Sequence, residues 1–241
     1  MGLLSEASEF KTDYVDKIAK NMFEGLLGTL GVTKPPVPVG AGGATPMPDY
    51  TTDPRARGLH AVEKTIDRVS EILGPGIMTK DAKELLSITS NMESWQGFHP
   101  DTHTRKKVEG GTVGHGGMWQ MTPKTFWEIL HRAKRNSDSS TARAIERIQD
   151  KTGIDFMSMH RDQESSKKLN QDEINEINEF LAVPLHSALA ARLEYMSVPD
   201  PIPKSTGGKI RYYEDEYHKL PVSFPKKVYN QLRGRGLLDA F

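Results

Sequence analysis

Apolar residues return every three or four positions along most of the chain beyond residue 55, and that spacing restricts it to helices. Leu59, Val62, Ile66, Val69, Ile72 and Leu73 form one stripe, ended by Gly74-Pro75-Gly76. Thr79 stands where a cap is needed, with Asp81 in the first turn, and Leu85, Leu86, Ile88 and Met92 follow as the inward face. Thr122-Pro123 joins a cap to a first-turn proline and opens a helix through Phe126, Trp127, Ile129 and Leu130 toward Arg135. Further helices are expected from Ser139 to about Thr152 with Gly153 as the stop, from Asn170 to about Val183 with Glu173 closing a capping box, and from Leu185 to about Met196. Val198 to Gly208 reads as a loop, and Lys209 to Leu220 and Pro225 to Leu232 as short terminal helices. No strand of any length alternates, so the predicted fold class is all-α, with about seven or eight helices and a minor hairpin in the glycine-rich segment.

The first 54 residues are of a different kind. Phe10, Tyr14, Ile18, Met22, Phe23, Leu26 and Leu30 mark an amphipathic helix, followed from Val32 to Pro54 by a run too rich in proline and glycine for helix or strand. The expected organisation is an N-terminal helix and extended Pro/Gly arm over 1–54 and a helical domain over 55–241. A helix on such a tether suits docking onto another protein or a membrane surface, or folding back on its own domain.

Charge and composition remove several classes of function. Lys+Arg and Asp+Glu are both 32, so the formal net charge is +0 and no global field draws the chain to nucleic acid or an anionic membrane. Arg105-Lys106-Lys107 and Lys226-Lys227 with Arg233 and Arg235 read as solvated charged faces. Cysteine is absent, which excludes disulfides and thiol chemistry. Glu6 stands where a myristoylation signal needs Ser or Thr, and Glu6, Glu9, Lys11, Asp13 and Asp16 interrupt every candidate signal-peptide core.

Two short segments carry chemistry. In Asn91-Met92-Glu93-Ser94-Trp95-Gln96-Gly97-Phe98 one carboxylate sits at a helix end among apolar and aromatic neighbours. Partial desolvation there disfavours the charged form, which suits a general acid. In Gly114-His115-Gly116-Gly117-Met118-Trp119-Gln120, glycines that permit close approach or positive φ lead to a glutamine able to donate and accept hydrogen bonds.

Glu93-Ser94, followed in order by Gly117-Met118-Trp119-Gln120-Met121-Thr122-Pro123-Lys124-Thr125, resembles the lytic transglycosylase domain of the lysozyme superfamily. That family has a catalytic Glu-Ser, then Gly-Leu-Met-Gln and a Met-Pro-x-Thr helix start. The likeness covers about Leu85 to Thr125, and His99 to Val113 stands as an insertion. The resemblance implies a lysozyme-like domain that cleaves the bond between N-acetylmuramic acid and N-acetylglucosamine with one glutamate. It implies Glu93 as acid and base, Ser94 as its support, and Met118 and Gln120 as residues of the sugar cleft. The family's Ala-Tyr-Asn tyrosine, which hydrogen-bonds the glutamate, has no counterpart motif here. Tyr195, Tyr212, Tyr213 and Tyr217 are the tyrosines available, and Tyr217, in Tyr217-His218 after the last long loop, is the expected partner. Asp101, in the insertion, would activate water in a hydrolytic variant.

His99, His103, His115 and His131 offer a rival, metal-binding account. Pro100 breaks the helix that would align His99 with His103, and no His-Glu-x-x-His occurs, so no metal and no cofactor are expected. Trp95, Trp119 and Trp127 read as core, with Trp95 also placed to stack on a sugar face. The expected setting is a phage virion, the arm anchoring the domain to other virion or tail proteins while it opens peptidoglycan for genome delivery. A free endolysin is the second enzymatic option. A non-enzymatic virion or tail adaptor retaining the fold is the alternative.

Overall fold

A computed structural model describes residues 49–94, 96–97, 106–108, 111–113, 116–162 and 169–218. The expected helix from Phe10 to Leu30, the arm up to Pro48 and the helix from Pro225 lie outside the described residues, as do Trp95, His99, Asp101, His103 and His115.

Among the described residues seven α-helices carry the fold: α1 (Leu59–Leu73), α2 (Lys80–Ser94), α3 (Pro123–Arg135), α4 (Ser140–Thr152), α5 (Gln171–Ala182), α6 (Pro184–Met196) and α7 (Thr206–Tyr212). The all-α reading holds, with one small hairpin of β1 (Lys106–Val108) and β2 (Gly111–Val113), antiparallel with Lys106 opposite Val113. Among the described residues no helix is long and apolar enough to cross a membrane.

The helix ends follow local chemistry. Thr122 accepts a hydrogen bond from the Thr125 amide at 3.1 Å. Asn170 and Glu173 bond reciprocally at 3.0 and 2.8 Å, a capping box that meets the exposed amides of α5. Gly153 closes α4 at φ 73°, a conformation an L side chain rarely adopts.

Helix α6 is the centre of the packing. Leu185, Ala188, Leu189, Ala190, Ala191, Leu193 and Tyr195 are all buried, so the helix is covered around most of its circumference. Its alanines let α1, α2, α3, α4 and α5 approach closely. Into the same core α1 buries Val62, Ile66, Val69, Ile72 and Leu73, each worth about 1.5–3 kcal/mol of apolar burial. Residues 49–54 already belong to this unit: the Leu185 amide donates to the Thr51 carbonyl at 3.0 Å, and Tyr50 packs against the core.

The last helix departs from the sequence expectation. It begins at Thr206, within the stretch read as loop, because Ser205 caps it by accepting from the Gly208 amide at 3.2 Å. A Cβ on Gly208 would lie 2.7 Å from the Pro203 Cβ, which explains glycine in the first turn. The buried Lys209 then fixes α7 to α2 through Asp81 at 2.8 Å and Glu84 at 2.7 Å. Beyond Tyr212 the chain widens into a π-helical turn, Tyr213–His218.

Candidate active site

Glu93 lies in the last turn of α2 with its side chain only 13% exposed. The Tyr213 hydroxyl donates to its Oε1 at 2.9 Å, and His218 Nδ1 stands 3.3 Å from the same oxygen. Tyr213 and His218 are themselves 3.2 Å apart. Burial, reinforced by the charge of Glu93, pushes the Tyr213 phenol far above its ordinary range, so it remains a protonated donor. The hydrogen bond to Glu93 raises His218, against the opposing pull of burial.

The expected tyrosine is thereby corrected. Tyr217 does not bond Glu93; its hydroxyl donates instead to the Trp119 carbonyl at 2.8 Å. Tyr213 makes the carboxylate contact. An α-helical reading offers several tyrosines in this segment, but only the π turn decides which of them points at α2. The rest form a stack behind the site: Tyr195 lies 5.3 Å from Tyr217 and 5.9 Å from Tyr212 between ring centroids. The Tyr195 hydroxyl meets Thr89 of α2 at 2.7 Å.

The second motif is held to the first by Ser94. Its buried hydroxyl donates to the Met118 carbonyl at 2.6 Å and accepts from the Gly97 amide at 2.8 Å. Ser94 and Met118 are 0% and 1% exposed, so the structure places both side chains in the packing that supports Glu93, without an open face toward a sugar. Met118 thus differs from the expectation that it lines a cleft. Trp119 is also core, its indole nitrogen donating to the Leu86 carbonyl at 2.9 Å.

The glycines of this segment answer to close packing. A Cβ on Gly116 would fall 2.1 Å from the Leu181 Cβ, and one on Gly117, at φ 65°, would fall 2.4 Å from the Leu181 carbonyl oxygen. Gly116 pairs with Met121 across the turn, its amide donating at 2.9 Å. Gln120, at the end of that turn, takes φ 45°, and Gln96 beyond Glu93 takes φ 60°. Such conformations cost non-glycine residues about 1–3 kcal/mol and gather at functional sites. Gln120 Nε2 is buried with no hydrogen-bond partner among the described residues, a donor that a ligand oxygen would satisfy.

His131 lies apart, stacked on Trp127 at 4.6 Å and next to His160, with Nδ1 to Nε2 at 3.4 Å. Among the described residues no three metal-ligating side chains gather. Sequence reasoning passed over Lys209, whose burial has no periodic signal, and named His218 only as the neighbour of Tyr217. Comparison of the chain with protein families, with curated proteins and with solved structures finds no match in any of the three.

Proposed function

We propose that this chain is a peptidoglycan lytic transglycosylase with Glu93 as its single acid and base. The observation that carries the reading is the 2.9 Å hydrogen bond from Tyr213 to Glu93. It supplies the tyrosine-to-glutamate contact that the resemblance requires, from a position that lacks the Ala-Tyr-Asn motif. The lysozyme-like character of the domain is part of the same proposal.

A recessed carboxyl protonates the glycosidic oxygen while the bond from that oxygen to the anomeric carbon breaks. The resulting carboxylate takes the proton of the sugar's C6 hydroxyl as that oxygen bonds the anomeric carbon, leaving a 1,6-anhydro product. The substrate provides its own nucleophile, so the pair of carboxylates used in ordinary glycoside hydrolysis is unnecessary. The Gln120 amide nitrogen, without a partner among the described residues, suits an acetamido or hydroxyl oxygen of the glycan.

The biological setting in this reading is a phage particle, with the N-terminal segment, expected from sequence as a helix and arm, joined to other virion or tail proteins. Removing residues 1–48, which keeps the Thr51 contact with α6, should leave wall cleavage intact and abolish incorporation into particles.

The deciding experiment digests purified peptidoglycan with the wild-type chain and with Glu93→Gln, and identifies released muropeptides by mass spectrometry. Anhydro products that vanish in the variant are expected. Reducing-end products would indicate hydrolysis and point to Asp101. A folded wild-type chain that releases nothing would overturn the enzyme reading in favour of a virion structural protein.

A further inference from the structure

The π turn is what brings two donors to one oxygen. In an α-helix side chains five residues apart point about 140° away from each other. In the wider π turn, closed by bonds to the fifth residue, that angle is much smaller and the two side chains share one face. Tyr213 and His218 are so related, and both reach Glu93 Oε1, at 2.9 and 3.3 Å. Glu93 Oε2 has no hydrogen-bond partner among the described residues. A carboxylate oxygen only accepts, and the single Tyr213 proton is already directed at it. The His218 contact therefore needs a hydrogen on Nδ1, which the imidazolium always carries.

We propose that His218 is a positioning residue for the reaction described above, donating Nδ1–H to Glu93 Oε1 so that Oε2 is the oxygen that delivers and recovers the proton. The inference rests on the transglycosylase reading for its reaction and on these contacts for its geometry. The proton on Oε2 passes to the leaving glycosidic oxygen as the bond to the anomeric carbon breaks. Oε2 then takes the proton of the C6 hydroxyl as the new bond closes. Two donors on Oε1 stabilise the carboxylate between these halves and keep the carboxyl group from rotating.

The charge around the ring agrees with a donor role. Glu93 faces it from α2 and Glu214 from its own turn, and both favour the imidazolium. Tyr213, beside the ring, is held as a neutral phenol and adds no charge of its own.

The test uses the full-length chain with His218→Leu, His218→Gln and Glu93→Gln. On peptidoglycan, His218→Leu should lower kcat by about 10- to 100-fold with KM nearly unchanged, the effect of losing one hydrogen bond to a charged group. His218→Gln keeps an N–H donor and should recover most of that loss. Wild-type kcat should fall as pH rises through the His218 midpoint, and His218→Gln should lack that limb. Imidazole NMR, with the His218 signal assigned by its disappearance in His218→Gln, should show its midpoint dropping in Glu93→Gln. An unmoved midpoint, or wild-type kcat and pH profile in His218→Leu, overturns the inference and leaves the proposed function standing. If His218→Leu fails to fold, the NMR titration of Glu93→Gln still decides it. A folded wild-type chain that releases no muropeptide overturns both.

Discussion

Two clusters in this domain each set a histidine beside an aromatic ring and a carboxylate, and they reach opposite electrostatic results. At the end of α2, Glu93, Tyr213 and His218 meet with the carboxylate recessed from solvent. Beside α3, Trp127, His131 and His160 stack, with Asp162 at their edge, 86% exposed and paired with Lys134. His218 is raised because a shielded carboxylate hydrogen-bonds it. His160 is lowered, first by burial and then by the positive charges of Lys134 and His131, which Asp162 only partly offsets. The lesson is that a carboxylate near a histidine is not enough. Shielding, and whether a cation has already claimed the carboxylate, decide the direction.

The sharpest way to break this contrast is catalytic. Glu93→Gln should reduce muropeptide release by about 10²- to 10⁴-fold, the range for losing a general acid and base. His160→Gln should leave release unchanged in the same mass-spectrometric assay. Equal loss in both variants would mean that the two clusters are one functional unit.

Next in size is the clamp. Lys209→Met leaves Asp81 and Glu84 without the buried ammonium that holds α7 to α2, and should cost about 2 kcal/mol in urea denaturation. Lys134→Met, whose pair with Asp162 is solvent-exposed, should leave the urea midpoint almost unmoved. A smaller loss divides the two tyrosines. Tyr217→Phe strands the Trp119 carbonyl and should lower stability by about 1–2 kcal/mol, while Tyr213→Phe should principally lower kcat.

The smallest effects are in pH. The stabilisation contributed by His218 is complete below the ordinary histidine value of about 6.5 and disappears as pH rises through its elevated midpoint. For His160 the sign reverses: its contribution is complete above about 6.5 and is lost as pH falls through its depressed midpoint. Imidazole NMR titrations should place the two midpoints on opposite sides of that value. Both on the same side would remove the contrast.

Much of the framework was legible because it is local. The stripe from Leu59 to Leu73, the Thr122-Pro123 start, the Asn170–Glu173 box and the Gly153 stop are each written within a few residues of the bonds they make. Glu93 was likewise legible as a carboxylate at an apolar helix end. The hairpin was expected only in outline, since its short strands carry too few residues for a period to emerge.

What the sequence determined by itself was therefore the helices from α1 to α6, most of their ends and the candidate acid, because capping and amphipathic spacing act over one or two turns. Tertiary structure alone decided that Tyr213 and His218, and not Tyr217, meet Glu93. That choice depends on the Lys209 clamp to α2 and on a π turn, which changes the angular spacing of side chains without leaving a periodic trace. It also decided that Met118 is an internal residue tied to Ser94 and does not line an open cleft. Burial of that kind depends on residues distant in sequence, as the hydrogen bond from Ser94 to the Met118 carbonyl and the approach of Gly116 and Gly117 to Leu181 make plain.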